Sequence, residues 1–415
     1  MLLGKFSALE CNRCPHVNHG VVDPHDQPPP SLPSNVKLLG VASLLNDIAS
    51  EMIFPLMPQF LLTVLGGNRF HLGIIEGVAD SVSSLLKLGA GAWSDRAGQR
   101  KKLVVVGYLL AAVARPLIGI VTAPWQLFTA RIADRIGKGI RTSPRDALIA
   151  DSTEPTMRGR AFGFHRAMDH LGAATGPVLA SLFLLVWPDQ LRRLFLLTLV
   201  PGLAVACLLV FGLREKPVEV AAGERLRLRS DSFDGGFKLY LISLVIFTLG
   251  NSSDAFLLVR AGELGVPTAY LPLLWCFFHI VKSSGNWLAG RWVDQLGPRP
   301  LIFLGWLFYA FVYVAFGLAN QAWQIWVLFL AYGVFFALTE PAEKKLVTML
   351  VGAERKGLAF GWFHFAIGIA ALPSSVIFGW LYQQFGPRVA FGWGAALAGL
   401  AAMLLSGVRP GQSAE

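Results

Sequence analysis

"GAWSDRAG", residues 91–98, returns as "GRWVDQLG" at residues 290–297. Two further pairs stand at the same separation of about 198 residues: "WQLF" (125–128) with "WQIW" (323–326), and "RGRAFGFH" (158–165) with "RKGLAFGWFH" (355–364). One such match is weak evidence, but several at one offset mark an internal duplication. Parallel repeats of this kind are a feature of secondary transporters.

The duplicated unit is apolar. Of 415 residues 54% are hydrophobic and only 15% are charged, against about 25% charged in an ordinary soluble domain. Long apolar runs occupy Leu103–Ile120, Leu194–Phe211, Leu239–Leu249, Leu301–Leu318, Ile325–Leu338 and Val389–Leu405. Several approach the roughly 20 residues that carry a helix across a bilayer. Apolar runs and their charged breaks predict twelve spans, beginning near Val36, Leu72, Lys101, Trp125, Ala161, Leu191, Phe237, Ala269, Pro300, Trp323, Gly357 and Arg388. The fold class that follows is an all-α membrane protein with twelve transmembrane helices in two pseudo-symmetric six-helix bundles. The expected organisation is a disordered N-terminal tail (1–35), a first bundle (36–213), a linker (214–236), a second bundle (237–407) and a short tail (408–415).

The net charge of +10 does not point to nucleic acid, because the basic residues fall in alternate loops. One set holds Arg96, Arg100, Lys101 and Lys102, then Arg158 and Arg160, then Arg214, Lys216, Arg225, Arg227 and Arg229, then Arg291 and Arg299, then Arg355 and Lys356. The intervening loops hold only Arg69, Arg192, Arg193, Arg260 and Arg388. Cytoplasmic loops attract Lys and Arg, so both termini are expected on the cytoplasmic side of the cell's inner membrane. The N-terminus has no basic start followed by an apolar core, so it does not read as a signal peptide. In that tail Cys11, Cys14, His16, His19 and His25 sit close together, yet the Pro-rich surroundings offer no fold to position ligands. No metal site or cofactor is expected.

One segment breaks the apolar pattern: "RIADRIGKGIRTSPRDALIAD", residues 131–151. Its "GKG" is not a phosphate loop, since Ile132 and Gly139 stand where that motif needs Gly and Ser or Thr. On a helix, Arg131, Arg135, Lys138, Arg141 and Arg145 step by three and four residues into one stripe. At 1.5 Å per residue from Trp125, Lys138 lies about 20 Å down its span, near mid-membrane. Each charge facing lipid there costs roughly 2.5–3.5 kcal/mol on the insertion scale. The stripe must therefore face a wet cavity or acidic partners. Asp47 and Glu51, Glu76 and Asp80, and Asp169 are available in the other early spans. Gly137, Gly139 and Pro144 predict a break or kink in the same span.

The quoted repeats carry a family resemblance. "GAWSDRAGQRK" (91–101) resembles the loop signature of the major facilitator superfamily, "DSTEPTMRGRAFG" (151–163) its link from helix four to helix five, and "GAATGP" (172–177) its helix-five motif, which is associated with antiporters. "NDIASEMIFPLMPQF" (46–60) and "GKGIRTSPRDALIAD" (137–151) resemble a prokaryotic subgroup of that family. The resemblance spans the whole chain and implies alternating access by rocking of two halves. It assigns a gating loop to Gly91, Asp95, Arg96 and Gly98, and the helix-five motif to Gly172, Gly176 and Pro177. It also implies that spans one, four, seven and ten line the cavity; Asp47, Glu51, Arg135, Lys138, Asn251, Asp254, Glu340 and Glu343 fall there.

The expected function is secondary transport of a small solute, anionic or zwitterionic because of the basic excess in span four. Protons are the expected coupling ion and export the expected direction. The substrate and proton pathway comprises Asp47, Glu51, Arg131, Arg135, Lys138, Arg141, Arg145, Asp169, Asn251, Asp254, Glu340 and Glu343. His165 and His364 occupy matching places in the repeat and read as inherited structural positions. No nucleophile–base pattern suggests an enzyme. The alternative is a transport-inactive sensor or scaffold using the same cavity.

Overall fold

The computed structural model describes residues 31–97, 100–154, 157–215, 233–351 and 356–408, apart from a few side chains within 88–97, 287–291 and 356–357. These residues form twelve helical rods: α1 (Ser34–Val64), α2 (Arg69–Ala97), α3 (Arg100–Ile120), α4 (Pro124–Asp151), α5 (Arg158–Val186), α6 (Leu191–Gly212), α7 (Gly235–Glu263), α8 (Leu271–Leu296), α9 (Pro298–Leu318), α10 (Ala322–Met349), α11 (Lys356–Phe385) and α12 (Pro387–Ser406). Each begins within three residues of the start read from the sequence. Nine have the length and apolar composition to cross a membrane. The other three, α2, α4 and α8, are as long but carry the polar residues that matter below.

Local chemistry sets several of the boundaries. "QLGPR" (295–299) and "QFGPR" (384–388) end one helix and start the next within two residues. Gly297 and Gly386 take φ of 81° and 80°, a left-handed conformation that glycine adopts without a Cβ clash. The following Pro298 and Pro387 sit at the first helical position, where a missing N–H costs nothing.

The helix pairings repeat with a shift of six. In the first half α1 packs on α5 and α6, α2 on α4, and α3 on α4 and α6. In the second half α7 packs on α11 and α12, α8 on α10, and α9 on α10 and α12. Two seams join the halves, α2 against α11 and α5 against α8. The backbones approach closely at the first seam: a Cβ on Gly73 would lie 2.3 Å from the Ser375 carbonyl oxygen.

The break expected in α4 is not there. The helix runs unbroken through Gly137, Gly139 and Pro144, and its glycines serve packing instead. A Cβ on Gly137 would meet the Gly107 carbonyl oxygen of α3 at 2.5 Å, and one on Gly139 would meet Leu86 of α2 at 2.6 Å. The interruption lies in α7, where helix stops at Gly250 and resumes at Ala255. The intervening "NSSD" is rich in side chains that bond nearby backbone and so compete with helix. The Ala255 amide donates to Ser253 Oγ at 3.3 Å, and the Ser253 amide donates to Ser375 Oγ of α11 at 3.3 Å.

Candidate functional site

The charged stripe of α4 divides by depth. Toward the end of the molecule bearing the α1–α2 connection, Arg131 is buried and donates from Nε and Nη2 to the two carboxylate oxygens of Glu76 in α2, both at 2.9 Å. Asp134, also buried, lies 3.6 Å from Arg131 and accepts from Arg115 Nε of α3 at 2.9 Å. Arg115 Nη1 reaches α1 as well, donating to the backbone oxygen and Oδ1 of Asn46 at 2.8 and 2.9 Å. Glu76, Arg131, Asp134, Arg115 and Asn46 thus tie four helices together with paired charges. Such pairs tolerate burial because each charge has a partner and hydrogen bonds.

One turn further, the environment changes. Arg135, Lys138, Asp80, Ser83, Ser84 and Lys87 line a cavity of about 260 Å³ from the first half. The second half contributes Thr248, the α7 break Asn251–Asp254, Phe336, Ile367, Ala371 and Ser375. Arg135 Nε stands 3.8 Å from Asp80, whose side chain is 44% exposed. Neither the Lys87 nor the Lys138 ammonium has a hydrogen-bond or ion-pair partner among the described residues. Across the cavity, Asp254 accepts from the Tyr332 hydroxyl at 2.6 Å, and Asn251 Oδ1 accepts from the Tyr309 hydroxyl at 3.2 Å.

Beyond the cavity, Arg141 is buried with its guanidinium 4.4 Å from the centroid of the Tyr108 ring of α3. Arg145 turns to its neighbour Asp146 at 2.8 Å. Of the five basic residues expected to face a wet cavity or partners, Arg135 and Lys138 line the cavity. A common helical face fixes a residue's azimuth but not its depth. For Arg131, Arg135 and Arg141 the partner at each depth belongs to another helix, and for Arg145 it is the adjacent Asp146, so the stripe becomes a lattice, a cavity wall and a stacked guanidinium in turn.

The remaining expected residues lie outside the cavity lining. Asp47 accepts from Asn46 Nδ2 at 2.9 Å. Glu51 accepts from the Trp275 indole N–H of α8 at 2.8 Å, across the seam. Asp169 accepts from the Ser43 hydroxyl and lies near His165 and Arg166, at 3.6 and 3.5 Å. Glu340 gathers Lys282 at 3.5 Å, Lys344 at 3.4 Å and Asn286 Nδ2 at 3.1 Å. Glu343 is 3.4 Å from the Trp306 indole nitrogen. Gly172 and Gly176 let α5 close on α1: added Cβ atoms would lie 2.7 Å from the Leu44 and 2.6 Å from the Ile48 carbonyl oxygens. Pro177 lies within α5. Gly91 lies in α2, whereas Gly98 and the side chains of Asp95 and Arg96 fall outside the described residues, as does the Cys11–His25 tail. Among the described residues no cluster of His, Cys, Asp and Glu has metal-binding geometry.

Lys87 of the cavity wall and Arg115 of the paired network are charges not singled out in the sequence. Their signal was present: an ionisable residue deep in a span asks for a partner or a wet surface. Lys87 lies 18 residues into α2, and Arg115 15 residues into α3.

The halves are joined at one end. Glu263 of α7 accepts from Arg69 of α2 at 2.5 Å, from Tyr382 of α11 at 2.6 Å and from Arg260 at 3.3 Å. The Glu51–Trp275 bond lies nearer mid-depth, as do Ser81 to the Gly368 carbonyl at 2.6 Å and Ser283 with His170 at 3.2 Å.

Two pseudo-symmetric helical halves, bonded to each other near one end and at mid-depth beside a charged cavity, fit a multi-pass membrane protein of the solute-transporter type. The family model of the Major Facilitator Superfamily matches residues 39–281 and 239–415, and this chain belongs to that family. It is 32% identical over 380 residues to an uncharacterised MFS-type transporter of Methanocaldococcus jannaschii, covering 90% of this chain and 94% of that one. It is 24% identical over 368 residues to the multidrug resistance protein MdtH of Cronobacter sakazakii, covering 84% and 88%. Among solved structures, the nucleoside transporter NupG superposes with a TM-score of 0.75 at 10% identity, covering 90% of this chain and 99% of that one. A bacterial homologue of the human lysosomal transporter Spinster, inward-facing and unoccupied, gives 0.72 at 15% identity, covering 92% and 100%. At these identities the structural likeness concerns the fold.

Proposed function

We propose that the chain is a secondary active transporter that moves a small anionic or zwitterionic solute by alternating access, coupled to protons and directed outward. The observation that carries this reading is the cavity between α2, α4, α7, α10 and α11, where Arg135, Lys138 and Lys87 face Asp254 across the junction of the halves. Charges at that depth are tolerable when water or a solute reaches them. Arg69–Glu263 holds the end bearing the α1–α2 connection shut, and Glu51–Trp275 joins the halves nearer mid-depth. Rocking the halves exchanges these bonds for contacts at the opposite end, where α2 ends at Ala97. Carboxylates inside the spans, among them Asp47, Glu51 and Glu343, provide proton-accepting groups. Outward direction is supported by the relatives named multidrug resistance proteins and by the Gly172–Pro177 motif.

The boundaries proposed for the two bundles are 36–213 and 237–407, with 214–236 as a linker and both termini in the cytoplasm of a cell whose inner membrane holds the protein. The alternation of basic loops supports that orientation. The test is purified protein in proteoliposomes containing a pH-sensitive dye, challenged with organic anions, zwitterions and drugs. A solute-dependent proton flux that Lys138→Gln abolishes is expected. Flux-free binding of a solute that fits the cavity would reassign the chain as a sensor.

A further inference from the structure

We infer that the cavity reads its solute at two poles: a phosphate at Lys87, Arg135 and Lys138, and a protonated amine at Asp254. The inference deepens the transport reading and rests on it only for the solute being cargo.

The first pole stands on unequal charge. The wall formed by α2 and α4 carries three cations and one acid, Asp80, which is 3.8 Å from Arg135. The two lysine ammoniums have no hydrogen-bond or ion-pair partner among the described residues. They differ in this from Arg131 and Arg115 a turn or more away, whose guanidinium groups are bonded to acidic or amide groups. Ammonium groups left over in a recess between helices are matched by an incoming anion, and charge-assisted bonds to it are the strong ones.

The second pole stands on the α7 break. Asp254 is presented to the cavity from non-helical backbone. One of its oxygens takes the neutral Tyr332 hydroxyl at 2.6 Å, which orients the carboxylate without cancelling its charge. Among the described residues no Lys, Arg or His forms an ion pair with it. Ser252, Ser253, Ser375 and Asn251 surround it with small polar groups. A carboxylate held in place, with polar neighbours and no ion pair, is a receptor for an amine.

Size and net charge narrow the ligand. A cavity of about 260 Å³ lies below the roughly 300–1,000 Å³ of drug-sized sites. Its ionisable side chains, Lys87, Arg135 and Lys138 against Asp80 and Asp254, carry one formal positive charge in sum. A metabolite-sized phosphate monoester that also bears an amine, net one negative, balances both walls.

The test uses full-length protein in detergent with three probes: O-phosphoethanolamine, ethyl phosphate and ethanolamine. O-Phosphoethanolamine is expected to bind roughly tenfold or more tightly than ethyl phosphate, with ethanolamine weakest. Lys87→Gln is expected to weaken both phosphates by roughly tenfold to a hundredfold, and Lys87→Arg to restore most of that loss. Asp254→Asn is expected to remove the advantage of O-phosphoethanolamine over ethyl phosphate. Equal affinity of the two phosphates for the unmodified protein overturns the amine pole, a comparison that stands even where Asp254→Asn fails to fold. Phosphate binding insensitive to Lys87→Gln, or no binding of either phosphate, overturns the anion pole. The transport reading fails separately. Labelled O-phosphoethanolamine that binds but does not cross proteoliposomes sinks transport and leaves the two poles standing. A drug that crosses proteoliposomes while neither phosphate binds sinks the two poles and leaves transport standing.

Discussion

Arg131 of α4 and Glu76 of α2 face each other in parallel, two N–H···O bonds of 2.9 Å between fully paired groups, with Glu76 wholly buried. Removing one partner strands the other's charge, which typically costs about 3–5 kcal/mol. Arg131→Gln is expected to lower thermal stability by that order, and the Arg131→Gln, Glu76→Gln double variant to recover part of it. Lys138→Gln, whose ammonium has no such partner, leaves thermal stability close to that of the unmodified protein. Melting curves of the unmodified protein, Arg131→Gln, Glu76→Gln and their double variant, compared as a double-mutant cycle with Lys138→Gln alongside, check this. Equal losses for Arg131→Gln and Lys138→Gln would place Lys138 in the lattice and remove it from the cavity.

Trp275 carries its indole N–H to Glu51 across the seam and packs its ring against Phe54 at a centroid distance of 5.0 Å. Trp275→Phe keeps an aromatic ring and deletes the bond. A hydrogen bond to a charged group contributes roughly 1.5–3 kcal/mol, so the sealed state should lose about tenfold to a hundredfold in population against its alternative. Cysteine accessibility at Gln59, where α1 meets α7 near the sealed end, should rise in Trp275→Phe. Unchanged labelling rates would show that the bond does not hold the seal.

Glu263 takes three donors from three helices. Glu263→Gln halves its acceptor capacity and removes its charge, so Arg69 loses its ion pair. The same Gln59 probe should open further when Glu263→Gln is combined with Trp275→Phe. The measurement is the pair of rates. A double variant no more accessible than either single would mean that the two contacts act at different states of the cycle.

Gly137 and Gly107 bring α4 and α3 into contact through their carbonyl oxygens, with added Cβ atoms at 2.5 and 2.6 Å from the facing backbone. Backbone cannot yield as a flexible side chain can. Gly137→Val is expected to destabilise the protein by about 1–3 kcal/mol or more through overpacking, and to lower the yield of folded protein. Gly163, whose added Cβ meets nothing within 4 Å, is the control: Gly163→Ala should be neutral or better in melting temperature.

Topology is open to a direct measurement. A cysteine at Ser230, between the halves, is expected to escape a membrane-impermeant reagent added to intact cells and to react after the membrane is opened. Labelling in intact cells would reverse the proposed orientation.

The sequence by itself determined the class. Apolar runs of membrane length and a duplication at one offset are local and periodic signals. They fixed the helix starts to within three residues and the helical class of the fold. It also marked α4 as the helix that must meet water or acid, because the cost of five charges in lipid is a property of that helix alone. Only the tertiary structure decided which charge met which. Arg131 and Arg135 share a face and are one turn apart. Glu76 stands beside the first, and a cavity opens beside the second. Glycines in α4 and "NSSD" in α7 are both credible breaks by local rules. Close packing on α3 and α2 kept α4 continuous, while the hydroxyls around Asp254 let α7 open. Lys87 acquired its place opposite Asp254 only when α2 and α7 met across the junction of the halves. Periodicity along one helix specifies a face; the depth-dependent neighbours that give each charge its role belong to other helices, many residues away in the chain.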